Sequence, residues 1–105
     1  MQGPIYSELC ADPELQEIVA DFVDELPRRV DAMRESFLAG SWDVLQTLAH
    51  QVKGAAGSYG FAPVTPIAGE IENGARNRAP EHEIERAITE LQNLVSRLTA
   101  EPSGE

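Results

Sequence analysis

From Leu15 to Phe37 the apolar residues advance by three or four positions without a slip: Leu15, Val19, Phe22, Leu26, Val30, Met33 and Phe37. That spacing keeps one face of a helix buried over its whole length, so it predicts a helix over about 13–39. Asp12-Pro13-Glu14 supplies its start, with an acidic cap, proline at the first helical position and another acid in the first turn. Pro27 interrupts the segment; a proline inside a helix costs about 3 kcal/mol and one backbone bond, which predicts a bend near 23–27. Gly40 ends the helix and Ser41 is placed to cap the next, so the connection is short and the two helices are antiparallel neighbours.

Three further helices follow from the same periodicity. One over 42–59 places Leu45, Leu48, Val52, Ala55 and Tyr59 on an inward stripe, with Trp42 anchoring the bundle end. One over 65–78, capped by Thr65 or Ala62 after a corner holding Pro63 and Pro66, turns Ile67, Ala68, Ile71, Gly74 and Ala75 inward. Its Glu70, Glu72, Asn73 and Arg76 lie largely elsewhere. One over 81–100 begins with Glu81, Glu83 and Glu85 and buries Ile84, Ala87, Ile88, Leu91, Leu94, Val95 and Leu98. Ile5, Tyr6 and Leu9 predict a short helical turn across one end, no segment alternates as a strand would, and the tail 102–105 should fray. The expectation is an all-α, antiparallel four-helix bundle with a short N-terminal helical turn, forming a single domain over 1–105.

Composition removes several classes of function. With 18 acidic against 8 basic residues and a net charge of −10, the chain lacks the clustered cations that nucleic acids and anionic membranes require. Its apolar runs fall far short of the roughly 20 residues of a membrane helix, and MQGPIYSEL lacks the regions of a signal peptide, so a cytoplasmic location is expected. The single cysteine, Cys10, has no internal disulfide partner and reads as structural. Met1 and the polar tail fit a free-standing chain, and with the apolar positions assigned to one core a monomer is expected.

The informative stretch is SWDVLQTLAHQVKGAAGSYG, residues 41–60. On a helical wheel His50 lies opposite the inward stripe, flanked by Gln46, Thr47, Lys53 and Gly54, with Gly57 a further turn along. A glycine inside a helix costs about 1 kcal/mol relative to alanine, so two on one exposed face ask for a reason other than helix stability. Bare backbone lets another surface come close.

The run His50-Gln51-Val52-Lys53-Gly54-Ala55-Ala56-Gly57-Ser58-Tyr59-Gly60 resembles the signature of histidine-containing phosphotransfer (HPt) domains, which reads His, any, aliphatic, Lys, Gly, small, small and ends in a glycine. The resemblance implies a four-helix bundle whose histidine exchanges a phosphoryl group with a receiver-domain aspartate in a two-component phosphorelay. It makes His50 the phospho-acceptor, Lys53 a cation beside the phosphate, and Gly54 and Gly57 the clearance for the partner, with Gln46 and Thr47 on the docking face. Receiver domains and hybrid histidine kinases are the implied partners.

Imidazole suits a phosphoryl carrier because in water it titrates near pH 6.5 and is partly neutral in the cell. Its outer nitrogen, Nε2, projects farthest from the helix and is the expected site. Phosphoryl transfer depends on positioning and charge stabilisation. The resemblance implies that the receiver brings the Mg²⁺ and the aspartate, and no cofactor is expected on this chain. Neither a GxxxxGK[ST] loop nor a kinase glycine loop is present, so no ATP site of its own is expected. A di-iron or zinc bundle would need Glu-x-x-His pairs, yet Thr47 and Ala79 stand three before His50 and His82, and His82 reads as a solvent-facing loop residue. The alternative is a non-phosphorylated helical adaptor that docks a receiver or kinase through the same face.

Overall fold

The computed structural model describes residues 3–9 and 12–101; Cys10 and the tail 102–105 lie outside the described residues. Its elements are β1 (Ile5–Tyr6), α1 (Pro13–Leu38), α2 (Trp42–Ser58), α3 (Val64–Asn77), α4 (Glu81–Arg97) and β2 (Leu98–Thr99). Each helix packs on the next and α1 closes the ring against α4. Short connections and this order make the four-helix bundle antiparallel.

The start of α1 forms as its residues dictate: the Asp12 side chain accepts from the Glu14 N–H at 2.9 Å, with proline in the first turn. The helix continues through Pro27, which lies on its exposed face, and the inward stripe from Val19 to Phe37 is buried. Gly40 takes a positive φ of 70° and turns the chain into α2. Ser41 occupies the cap position of α2 without a side-chain cap bond. The third helix starts at Val64 after Pro63, so neither Thr65 nor Ala62 caps it. Pro66 is accommodated in the first turn, where an N–H has no helical partner to lose.

Two expectations are corrected. The N-terminal segment is not a helical turn: Ile5 and Tyr6 pair in parallel with Leu98 and Thr99, which the fourth helix releases by ending at Arg97 rather than near 100. Extended backbone wins here because the end of α4 offers a partner for its hydrogen bonds, which a lone turn lacks. The buried stripe of α2 is Leu45, Ala49, Val52 and Ala56, with Leu48, Ala55 and Tyr59 only half-buried at its edge. Small side chains at Ala49 and Ala56 suit a close helix contact, and the bulkier Leu48 and Tyr59 lie at its edge.

Aromatic contacts hold both ends of α2. Trp42 meets Phe37 edge-on at 5.8 Å between ring centres, and Tyr59 stacks on Phe22 at 4.5 Å. Beyond Tyr59 the N-terminal segment crosses Gly60: the Ser7 hydroxyl donates to the Tyr59 carbonyl at 2.5 Å, and the Glu8 N–H donates to the Gly60 carbonyl at 3.0 Å. Gly60 has φ 81°, and a Cβ there would sit 2.7 Å from the Ser7 Oγ and 2.9 Å from the Glu8 nitrogen. Gly60→Ala is therefore expected to cost about 2–4 kcal/mol, combining the left-handed backbone with the clash. Gly40→Ala, where a Cβ meets open space, should cost only about 1–2 kcal/mol. Urea unfolding of the two variants measures the difference; equal losses would show that the clash contributes nothing.

Candidate functional site

The site forms where α2 and α3 run antiparallel. Gly57 faces Thr65, whose Oγ1 lies 3.8 Å from the position of a Cβ on that glycine. One turn back along α2, the Lys53 stem crosses Gly69, its Cδ 3.5 Å from where a Cβ would be. One turn further, His50 meets Glu72. The absence of a side chain at Gly69 lets the lysine lie flat against α3 and reach the same carboxylate.

Glu72 is the centre of the cluster. Its side chain is 6 % exposed, and both oxygens are engaged. Oε1 lies 2.6 Å from Lys53 Nζ, while Oε2 lies 2.9 Å from His50 Nδ1 and accepts from Arg76 Nη2 at 3.0 Å. Arg76 is itself braced by Asn73, whose Oδ1 accepts from Nη1 at 2.9 Å. The hydrogen bond from Lys53 holds the Glu72 carboxyl below its usual value of 4.5, with a smaller contribution from His50 and against the opposing effect of burial. Glu72 is therefore an anion at neutral pH.

An ionised carboxylate only accepts hydrogen bonds, so in the neutral imidazole Nδ1 carries the proton and Nε2 carries the lone pair. The His50 side chain is 67 % exposed. The buried carboxylate thus holds one ring nitrogen and leaves the lone pair of the other unengaged by Glu72, on a side chain that is largely exposed. Partial neutralisation by Lys53 and Arg76 keeps the burial of Glu72 tolerable, since a lone buried carboxylate would cost several kcal/mol.

The remaining residues expected at the site share α2 with His50. Lys53 is half-buried and bound to Glu72, as above. Gly54 is exposed, with no atom within 4 Å of a would-be Cβ, so it offers bare backbone beside the histidine. Thr47 is exposed and its hydroxyl donates to the Asp43 carbonyl at 3.0 Å; Gln46 is half-buried. His82 is exposed in the first turn of α4 rather than in a loop.

Glu72 corrects the sequence reading, which placed it largely away from the inward face of its helix, and Arg76 and Gly69 join the site unannounced. The available signal was the Glu72–Arg76 spacing of four, a helix-surface pair. Nothing local to that pair shows that it lies beneath His50; only the register of α2 against α3 does.

Comparison with protein families finds the Hpt domain over residues 17–101, which takes in all of this site and most of the bundle. This chain belongs to the Hpt domain family. Hpt domains are phosphocarrier modules of histidine phosphotransfer in phosphorelays, working with receiver domains and kinases and without an ATP site of their own. Comparison with curated proteins and with solved structures gave no significant match. Among the described residues of this Hpt domain no helix is long and apolar enough to cross a membrane.

Proposed function

We propose that this chain is a phosphorelay intermediate in which His50 accepts a phosphoryl group from a receiver-domain aspartate and passes it on. The observation that carries this reading is the pairing of His50 Nδ1 with buried Glu72, which leaves Nε2 free at the surface. Nε2 attacks the phosphorus of the aspartyl phosphate, a P–N bond forms, the P–O bond to the aspartate breaks, and the aspartate leaves as a carboxylate. The ring keeps its Nδ1 proton and becomes positively charged, and the Glu72 carboxylate stabilises that charge where it develops. In the reverse step the same charged ring is the better leaving group.

Lys53 supplies the cation for the phosphoryl oxygens, and Gly54 and Gly57 admit the partner's surface, with Gln46 and Thr47 at its margin. Residues 1–105 then act as one Hpt module, a cytoplasmic monomer that relies on the receiver for Mg²⁺ and the second reacting group. The test is incubation with phosphorylated receiver domains and Mg²⁺, followed by assay of phosphate on this chain. Acid-labile, base-stable label is the expected result. A folded chain that takes no label from a broad panel of receivers yet binds them would be the adaptor instead.

A further inference from the structure

Glu72 holds two full cations, although one would balance its charge. Lys53 alone covers Oε1, while Arg76 shares Oε2 with His50. The arrangement has a consequence if Lys53 serves an incoming phosphoryl group: the lysine must leave or share its 2.6 Å contact with Glu72 at the moment when His50 most needs that carboxylate. A carboxylate as buried as Glu72 resists losing its only counter-ion. Arg76, anchored on Asn73 and half-exposed, keeps one cation on Glu72 throughout.

We propose that Arg76 is a positioning residue for phosphotransfer, the standing counter-ion that holds Glu72 charged and on His50 Nδ1 while Lys53 moves to the phosphoryl oxygens. The inference rests on the reading of His50 as phospho-acceptor. The two cations then differ in what they do, Lys53 being the mobile one and Arg76 the fixed one. Without Arg76 the lysine is the only formal charge on Glu72 and stays there, so the phosphoryl oxygens go unbalanced.

The test uses the full chain and phosphoramidate, a small donor that needs no docking surface. Nε2 attacks its phosphorus, the P–N bond of the donor breaks, and ammonia leaves. Phosphorus NMR follows the rate for wild type, Arg76→Gln, Arg76→Lys, Lys53→Gln and the double variant Lys53→Gln/Arg76→Gln, with folding checked by circular dichroism. Arg76→Gln should slow labelling at saturating donor by about 3- to 10-fold, as expected for a charge-assisted contact at a half-exposed site. Arg76→Lys should recover most of that rate. Lys53→Gln should cost about 10-fold in the wild type but under about 3-fold beside Arg76→Gln, because without Arg76 the lysine is already held on Glu72 and away from the phosphoryl oxygens.

Losses that multiply in the double variant, or an Arg76→Gln rate equal to wild type, would overturn the role of Arg76 while leaving His50 as acceptor. No label on the wild type, or equal labelling of His50→Gln, would overturn the acceptor reading and this inference together. A change confined to transfer from receivers, with phosphoramidate labelling unaltered, would make Arg76 a docking residue and overturn the proposal.

Discussion

Replacing His50 with glutamine is expected to abolish phosphoryl acceptance, by at least about 1,000-fold, because an amide nitrogen has no available lone pair with which to attack phosphorus. The fold should survive the change. Two thirds of the imidazole side chain is exposed and its described hydrogen bond is with Glu72, so thermal unfolding should move by no more than about 1 kcal/mol. A variant that still binds a receiver but takes no label separates chemistry from docking. Persistent label on a folded His50→Gln chain would place the acceptor elsewhere, with His82 the other histidine.

Glu72→Gln is expected to act on both rate and stability. An amide in place of the carboxylate neither balances the charge that develops on the imidazole ring nor pairs with Lys53 and Arg76. Losing a charge-assisted hydrogen bond in the transition state corresponds to about 10- to 100-fold in rate. At neutral pH the fold should lose about 1–3 kcal/mol, since one group releases three partners that are each at least one-third exposed and regain water. The pH dependence has a defined sign. The folded-state pKa of Glu72 is depressed, so its stabilisation is complete above about 4.5 and is lost as pH falls through the folded value. Unfolding curves of wild type and Glu72→Gln should therefore diverge at neutral pH and converge in acid. A gap that does not narrow as the pH falls below about 4.5 would show that the ion pairs contribute nothing.

The parts of the fold legible in sequence are those set by large apolar side chains at regular spacing. The α1 stripe from Val19 to Phe37 is readable because each position carries a bulky residue. Periodicity places the α2 stripe one step off, favouring Leu48 and Ala55 over Ala49 and Ala56, although a close helix contact suits the smaller pair. That offset also misplaces His50, which stands beside the buried Ala49 at the α3-facing edge rather than squarely opposite the core. The strand pair of Ile5–Tyr6 with Leu98–Thr99 is illegible because its two halves lie at opposite ends of the chain.

The candidate site divides in the same way. His50, Lys53, Gly54 and Gly57 occupy one helix, where spacing alone sets their relation. Glu72 comes from another helix, and a glutamate between Ile71 and Asn73 looks like any solvated charge until α3 is laid beside α2. Its burial is compensated by contacts with His50 and Lys53, 22 and 19 positions away, and helical periodicity within α3 carries no trace of them.

The central claim, that Glu72 fixes the proton on Nδ1 so that Nε2 of His50 does the chemistry, is tested most directly by nitrogen and phosphorus NMR of the chain labelled with ¹⁵N-histidine. Before phosphorylation, in alkaline solution where an imidazole is neutral, the expected spectrum is that of a ring protonated at Nδ1, and afterwards that of a phosphorus coupled to Nε2 of the same ring. Phosphorus bonded to Nδ1, or a resting ring protonated at Nε2 alone, would contradict it.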